Sequence, residues 1–144
     1  MWLTDAQQQL WRDYLDMTGR LQAALHRQLQ RACGMTLADY DVLVTLSEGG
    51  RMRIGDLGES LGWEQSRLSH QLRRMRERGL VTRSDSVDDR RGAEVELTEG
   101  GRTQLATAAP GHADLVRSVV FDGMTAGQAR ALRDWTTTVL ARLP

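Results

Sequence analysis

The stretch from Arg53 to Thr98, RIGDLGESLGWEQSRLSHQLRRMRERGLVTRSDSVDDRRGAEVELT, decides the fold of this chain. Its first part predicts a short helix, because apolar residues recur at helical spacing before the helix-stopping Gly62: Ile54, Leu57 and Leu61. A second helix is predicted from Glu64 to Gly79. Its apolar stripe has steps of four and three: Leu68, Leu72 and Met75.

A β-ribbon is predicted directly after the second helix. Residues 80–82 are of the type that strands favour, and polar and apolar residues alternate over 94–97, as in a strand with one buried face. The polar segment 84–92 between them is typical of a hairpin tip. Two helices, a turn and a ribbon predict a winged helix-turn-helix.

The exposed face of the second helix combines two kinds of side chain. Hydrogen-bonding residues come first (Gln65, Ser66, Arg67, Ser69 and His70), and Arg73 and Arg74 follow. Segment 64–83 holds six Arg against two Glu, although the whole chain has a formal net charge of +0. A run of arginines is often only a solvated face. Here the order suits a helix in a major groove, with base-reading donors first and phosphate-binding charges behind them.

These motifs resemble the MarR (multiple antibiotic resistance regulator) family of bacterial transcription regulators. One family motif is matched by Met75-Arg76-Glu77-Arg78-Gly79-Leu80-Val81, and the wing motif by Asp89-Arg90-Arg91 followed by Leu97-Thr98-Glu99-Gly100. Residues 35–43 resemble the family's second helix. The resemblance spans essentially the whole chain, with Glu64 departing from the usual helix-capping residue.

The resemblance implies roles for the wing and for a ligand site. Arg91 would enter the minor groove, Asp89 would orient its guanidinium, and Arg90 would touch phosphate or water; the alternative is a purely solubilising turn. An effector would bind in the cleft between the first, second and fifth helices. The residues expected there suit a small aromatic or phenolic compound, although such a stripe also occurs in ordinary cores: Trp11, Tyr14, Met17, Tyr40 and His112.

Helices are predicted on both sides of the winged element. Capping signals begin at Thr4, Thr36 and Thr125, and Thr98 is a fourth N-cap, while Pro110-Gly111 should bend or interrupt the helix that starts there. We therefore expect one mainly α-helical domain over 1–144. Residues 36–98 would form the DNA-binding lobe, and 1–33 and 99–144 the dimerisation helices.

A homodimer is expected because the terminal helices carry more apolar side chains than a 144-residue monomer would expose. The resemblance agrees, since terminal helices of two MarR-family subunits interleave. Two recognition helices then require a near-palindromic operator.

Other classes of protein have less support. All 19 basic residues are arginine, which binds phosphate and guanine bidentately. No phosphate-binding loop, zinc motif or nucleophile–base pair is present, so we expect no enzyme, cofactor or metal. No signal peptide or membrane span is evident, which predicts a cytoplasmic protein.

The sequence thus predicts a homodimeric regulator that binds double-stranded DNA, a repressor released by a small effector. Two alternatives stay open. One is a winged-helix module that binds only proteins, and the other is a redox-responsive regulator that uses Cys33, which otherwise serves as a small buried apolar residue.

Overall fold

The structure is a computed structural model that describes residues 1–85 and 92–144. It is mainly α-helical with one small antiparallel sheet, as predicted. In chain order the elements are α1 (Asp5–Cys33), α2 (Leu37–Gly49), β1 (Met52–Arg53), α3 (Ile54–Leu61), α4 (Gln65–Glu77), β2 (Val81–Asp85), β3 (Ala93–Leu97), α5 (Glu99–Val116), a π-helical turn (Arg117–Phe121) and α6 (Ala126–Leu140).

Reciprocal side-chain caps start three of the helices. At Thr4, Thr36 and Thr125 the hydroxyl accepts the backbone N–H three residues later, and that residue's side chain accepts the threonine N–H in return. Thr98 also accepts a hydrogen bond, from the Gly101 N–H at 3.0 Å. All four predicted helix starts are confirmed, because a cap needs only residues three apart in sequence.

The sheet has one strand more than the predicted hairpin. Its order is β1–β3–β2, and β1 pairs Met52 with Val95 and Arg53 with Glu94. A strand of two residues has no readable alternation, so the expectation of a two-stranded ribbon was incomplete. The added strand ties the start of α3 to the wing.

The core lies where α2, α3, α4 and the sheet meet. The largest fully buried side chains come from almost every element of this lobe: Leu29, Met35, Val42, Leu43, Leu46, Leu57, Leu68, Met75 and Val95. Only Leu29 of α1 is buried, so most of this 29-residue helix is not covered by the core.

The helix that follows the wing is continuous, so the interruption that was one of the two outcomes expected at Pro110-Gly111 does not occur. Pro110 does not interrupt α5, which continues to Val116. Ala108 is fully buried and His112 packs against Tyr40, so packing on both sides of the proline holds the helix together. The irregularity comes later, at the π-helical turn, where the Asp122 N–H donates to the Arg117 carbonyl at 2.8 Å.

The chain divides into two compact units, Met1–His112 and Ala113–Pro144. The first holds the core and the sheet. The second holds the end of α5, the π-helical turn and α6, and neither the turn nor α6 has a buried residue. That 1–33 and 99–144 together form the dimerisation helices stays a prediction.

Candidate nucleic-acid interface

A close contact between two helices sets the position of α4. Gly62 ends α3 with φ 67°, in the left-handed region that favours glycine, and the Trp63 N–H donates to the Gly58 carbonyl at 3.0 Å. A Cβ on Gly58 would lie 3.3 Å from Leu68 Cδ2, so this glycine allows α3 to approach α4 closely. Glu64 makes no side-chain cap hydrogen bond, as the sequence suggested.

The two faces of α4 are separated as the sequence predicted. All of the side chains expected to contact DNA from this helix are exposed: Gln65, Ser66, Arg67, Ser69, His70, Arg73 and Arg74. Leu68 and Leu72 are buried and anchor the helix to its lobe. The exposed face is therefore free to meet a ligand as large as a DNA duplex.

A cavity of about 370 Å³ lies between α4 and the sheet. Four of the expected DNA-binding residues line it: Ser66, Ser69, His70 and Arg73. Arg76 of α4 and Arg83 of β2 also line it, and the sequence analysis did not select them. Both arginines belong to the excess of positive charge over 64–83, which was the signal in the sequence that could have indicated them. Their guanidinium groups give this groove positive charge, which suits a negatively charged ligand.

Contacts within the lobe restrain two of the exposed basic side chains. The Arg73 Nη2 and His70 Nδ1 atoms are 3.3 Å apart. The Arg67 guanidinium carbon lies 4.2 Å from the centroid of the Trp63 ring, a cation–π contact. The Arg73 and Arg67 side chains are thus partly oriented before any ligand binds.

A buried carboxylate, which the sequence did not mark as a contact between helices, links α2 to α4. Asp39 accepts hydrogen bonds from Gln71 Nε2 at 2.6 Å and from Arg78 Nη1 at 2.7 Å, while it also caps α2 with Thr36. Gln71 in turn accepts from Arg74 Nη2 at 2.9 Å. Arg78, which looked like part of the basic face, is therefore used inside the lobe.

Hydrogen bonds and charge outweigh burial at Asp39. Burial by itself would raise the pKa of this carboxyl, but the Arg78 and Thr36 hydrogen bonds and the Arg78 charge lower its pKa below the ordinary value. The carboxylate therefore stays ionised and holds the network together at neutral pH.

The predicted wing contacts Asp89, Arg90 and Arg91 lie outside the described residues. The described part of the wing ends at Asp85 and resumes at Gly92. The two strands are paired from Val81↔Leu97 to Asp85↔Ala93, which is the last described pair. The wing roles stay predictions.

The structure brings two of the expected effector-binding residues together. The Tyr40 and His112 rings stack with centroids 4.2 Å apart, although they are far apart in sequence. Nearby, a Cβ on Gly111 would lie 2.5 Å from Gln28 Nε2, so α1 and α5 approach closely here. Gln28 Oε1 and His112 Nδ1 are buried and have no hydrogen-bond partner among the residues described.

The Asp41 charge acts on both of these rings. Burial lowers the pKa of His112, and the Asp41 charge partly opposes that shift. Burial raises the pKa of Asp41, while the charges of His112 and Arg67 lower it. Burial and the Asp41 charge both raise the pKa of Tyr40. The Asp41 charge thus interacts with His112 of α5 and with Arg67 of α4.

The other three effector candidates lie elsewhere along α1. Trp11 and Tyr14 stack with centroids 5.7 Å apart, and Met17 is exposed. Trp11 precedes Gln28 by 17 residues, which places them about 25 Å apart along the helix. One chain therefore does not gather all five candidates into one site.

Cys33 and His26 take part in local contacts. The Cys33 thiol donates to the Leu29 carbonyl at 3.3 Å, and His26 Nδ1 accepts from the Leu37 N–H at 3.3 Å. Within 1–85 and 92–144, no group of three or more His, Cys, Asp or Glu side chains is arranged to hold a metal ion. In the same residues, no helix combines the length and apolar character that crossing a bilayer requires.

Solved structures similar to this one identify its family. Sco3205 from Streptomyces coelicolor, a MarR family transcriptional regulator crystallised in complex with DNA, is 39% identical with a TM-score of 0.93, over 99% of this chain and 91% of that one. This chain belongs to the MarR family. AbsC, another MarR family regulator from Streptomyces coelicolor, is 37% identical with a TM-score of 0.91, over 99% of this chain and 97% of that one.

Other comparisons agree with membership of the MarR family. The MarR family model matches residues 35–92, from the start of α2 into the wing. The organic hydroperoxide resistance transcriptional regulator of Bacillus subtilis is 32% identical over 76 residues, 53% of this chain and 52% of that protein. The chain spans about half the length of the curated relatives it matches. The MarR family is one of transcriptional regulators and not of enzymes.

Proposed function

We propose that this MarR-family chain is a homodimeric, sequence-specific DNA-binding repressor that acts in the cytoplasm and is released by a small effector. The observation that carries DNA binding is the groove between α4 and the sheet, which Arg73 and Arg76 of α4 line together with Arg83 of β2. The crystallisation of Sco3205 with DNA, at 39% identity, supports the same ligand for this chain.

Base recognition belongs to the first half of α4 and phosphate binding to the rest. Gln65, Ser66, Arg67, Ser69 and His70 would read base edges from the major groove. Arg73, Arg74, Arg76 and Arg83 would neutralise phosphates along its walls. In the wing, Arg91 would enter the minor groove with Asp89 orienting it.

Dimerisation supplies the second recognition helix that a near-palindromic operator needs. Large apolar side chains stay exposed on the terminal elements of the single chain, among them Trp2 at 95% and Leu140 at 68%. A monomer would leave this surface in water, and a second copy of the same elements would cover it.

Effector binding is proposed near the stacked Tyr40 and His112 rings. Gln28 Oε1 and His112 Nδ1 are buried polar atoms without a partner in the described parts of the chain, so a ligand's polar group would satisfy them. A small aromatic or phenolic compound matches ring stacking combined with hydrogen bonding. Trp11, Tyr14 and Met17 would complete such a pocket only if the partner subunit's α1 supplies them.

A genomic selection tests DNA binding and specificity together. The purified protein is mixed with fragmented genomic DNA, the bound fragments are sequenced, and affinity for the selected site is measured against salt. We expect a near-palindromic site and an affinity that falls steeply with salt, because phosphate contacts release counterions. Binding of no duplex above background would contradict the proposal and favour a module that contacts only proteins.

Two substitutions test the division of labour along α4. Arg67→Ala should cost about 1–3 kcal/mol on the selected site and relax preference at one base pair, with little effect on random DNA. Arg74→Ala should weaken binding to both DNAs and reduce the salt slope by about 1. Arg20→Ala, which removes one positive charge from α1, is the matched control. Equal losses on both DNAs from Arg67→Ala and Arg74→Ala would refute this division.

His112→Ala tests the effector site. A panel of phenolic and aromatic acids is screened for release of the wild-type protein from its operator. For the compounds that act, His112→Ala should prevent release while operator affinity stays unchanged, and loss of the ring stacked on Tyr40 should lower the Tm. His112→Phe keeps a ring beside Tyr40 but lacks the nitrogen, so it separates stacking from hydrogen bonding. Normal release by His112→Ala would exclude this pocket.

A further inference from the structure

Trp63 lies in the turn between α3 and α4, directly before the recognition helix. The geometry of the turn is defined by Gly62, which takes the left-handed conformation, and by the hydrogen bond that the Trp63 N–H donates to the Gly58 carbonyl. The Trp63 side chain is half-buried and packs against the hydrophobic core. The indole ring is therefore held in place by backbone and core together.

The Arg67 guanidinium lies over this ring, at 4.2 Å from the centroid. Within 1–85 and 92–144, Arg67 forms no hydrogen bond or close ion pair, and its charge interacts with that of Asp41 only at longer range. Attraction to a ring face does not use the in-plane N–H donors of a guanidinium. The side chain is thus oriented while its donors remain available.

Such an arrangement matters for reading a base pair. An unrestrained arginine loses side-chain entropy when it binds a guanine edge, and prior orientation removes part of that cost. A salt bridge would also orient the guanidinium, but it would occupy the donors that the base needs. A ring face orients it without that competition.

We propose that Trp63 is a positioning residue for base recognition, whose indole ring holds the Arg67 guanidinium in place before DNA arrives. The inference rests on the proposed DNA-binding function and adds a specificity-determining residue that itself touches no base. Trp63 acts only through Arg67, so its effect must disappear when Arg67 is absent.

A double-mutant cycle on the selected operator tests this dependence. Trp63→Leu keeps an apolar side chain against the core but removes the ring. We expect it to weaken operator binding about two- to fivefold, the range for an exposed cation–π contact, and to leave binding to random DNA unchanged. In the Arg67→Ala background, Trp63→Leu should cost nothing further.

The aromatic variants and a packing control separate positioning from folding. Trp63→Phe and Trp63→Tyr should keep most of the operator affinity, because their rings attract a guanidinium less strongly than indole does but still attract it. These two variants provide the test if Trp63→Leu does not fold. Leu105→Ala removes a comparable half-buried apolar group from the same core. It should lower the Tm without altering base preference. A library of operator variants should show that Trp63→Leu and Arg67→Ala relax the same base pair.

A measurement without DNA separates this inference from the proposed function. Protons of the Arg67 side chain above an indole ring should show upfield NMR shifts that Trp63→Leu removes. Additive losses in the cycle, equal losses on operator and random DNA, or Arg67 shifts unaffected by Trp63→Leu would overturn the positioning role alone. A wild-type protein with the shifted protons but no affinity for any duplex would overturn both the proposed function and this inference.

Discussion

At the scale of single residues, Asp39 joins α2 to α4 and to the residue that follows α4. It caps α2, accepts from Gln71 and pairs with Arg78, and its side chain is 4% exposed. The sequence marked only the first of these roles, since the cap lies within three residues. The partners on α4 and beyond it lie more than thirty residues away.

Asp39→Asn should destabilise the fold at neutral pH by about 1–3 kcal/mol, because Arg78 loses its charged partner. Since the folded-state pKa of Asp39 is lowered, its contribution is present above the unfolded pKa of about 4 and is lost as pH falls through the lower, folded pKa. Urea unfolding from pH 7 to pH 3 measures this. The difference in stability between wild type and Asp39→Asn should narrow as the pH falls below about 4, and a constant difference across that range would contradict the assignment.

At the scale of elements, glycine allows the start of α5 to lie against the segment that follows α4. Gly101 is buried, and a Cβ there would overlap the backbone carbonyl oxygen of Leu80. The same junction is bridged by Thr98, whose hydroxyl donates to the Gly79 carbonyl at 2.6 Å. Backbone atoms cannot move aside as a flexible side chain can, so this approach requires glycine.

Gly101→Ala should therefore destabilise the protein by about 1–3 kcal/mol, although alanine favours helix by up to about 1 kcal/mol. Gly55→Ala is the matched control, because Gly55 also lies in a helix and a Cβ there meets nothing within 4 Å. Thermal unfolding should show a lower Tm for Gly101→Ala and an equal or higher Tm for Gly55→Ala. An increase in stability for both Gly101→Ala and Gly55→Ala would mean that α5 and the Leu80 backbone can move apart without a loss of stability.

At the scale of the whole molecule, the distribution of apolar surface favours assembly. The buried side chains cluster in the winged lobe, whereas α6 and the π-helical turn contain no buried residue. Their exposed apolar groups include Phe121 at 57% and Leu140 at 68%. A fold that leaves whole helices uncovered gains stability when a second copy covers them.

Removal of the terminal segments should abolish the dimer. Deletion of 1–15 or 125–144 should yield monomer or aggregate in analytical ultracentrifugation, with loss of operator binding. Leu140→Glu is a milder test and should shift the protein toward monomer, while Thr138→Glu adds the same charge to the same helix as its control. A folded monomer that binds the operator tightly after either deletion would exclude the proposed dimer.

Signals that act over three or four residues were readable from the sequence alone. In each capping pair, the threonine and its partner are three residues apart, as at Thr4, Thr36 and Thr125. In the apolar stripe of α4, Leu68 and Leu72 are one helical turn apart. A cap or an amphipathic face is satisfied within its own helix, so its residues must lie near one another in the chain. The helix starts, the winged fold and the exposed face of α4 followed from such local rules.

Contacts between elements were decided only by the tertiary structure. Nothing local pairs Asp39 with Gln71, stacks Tyr40 on His112, or adds Met52–Arg53 to the sheet. Trp63 and Arg67 are four residues apart, yet their contact depends on the turn that Gly62 and Gly58 set between two helices. Pro110 stays inside α5 for a similar reason, since the packing of Ala108 and His112 outweighs the loss of one backbone donor. Each of these depends on where whole elements pack, and packing is a property of the folded chain rather than of any segment of it.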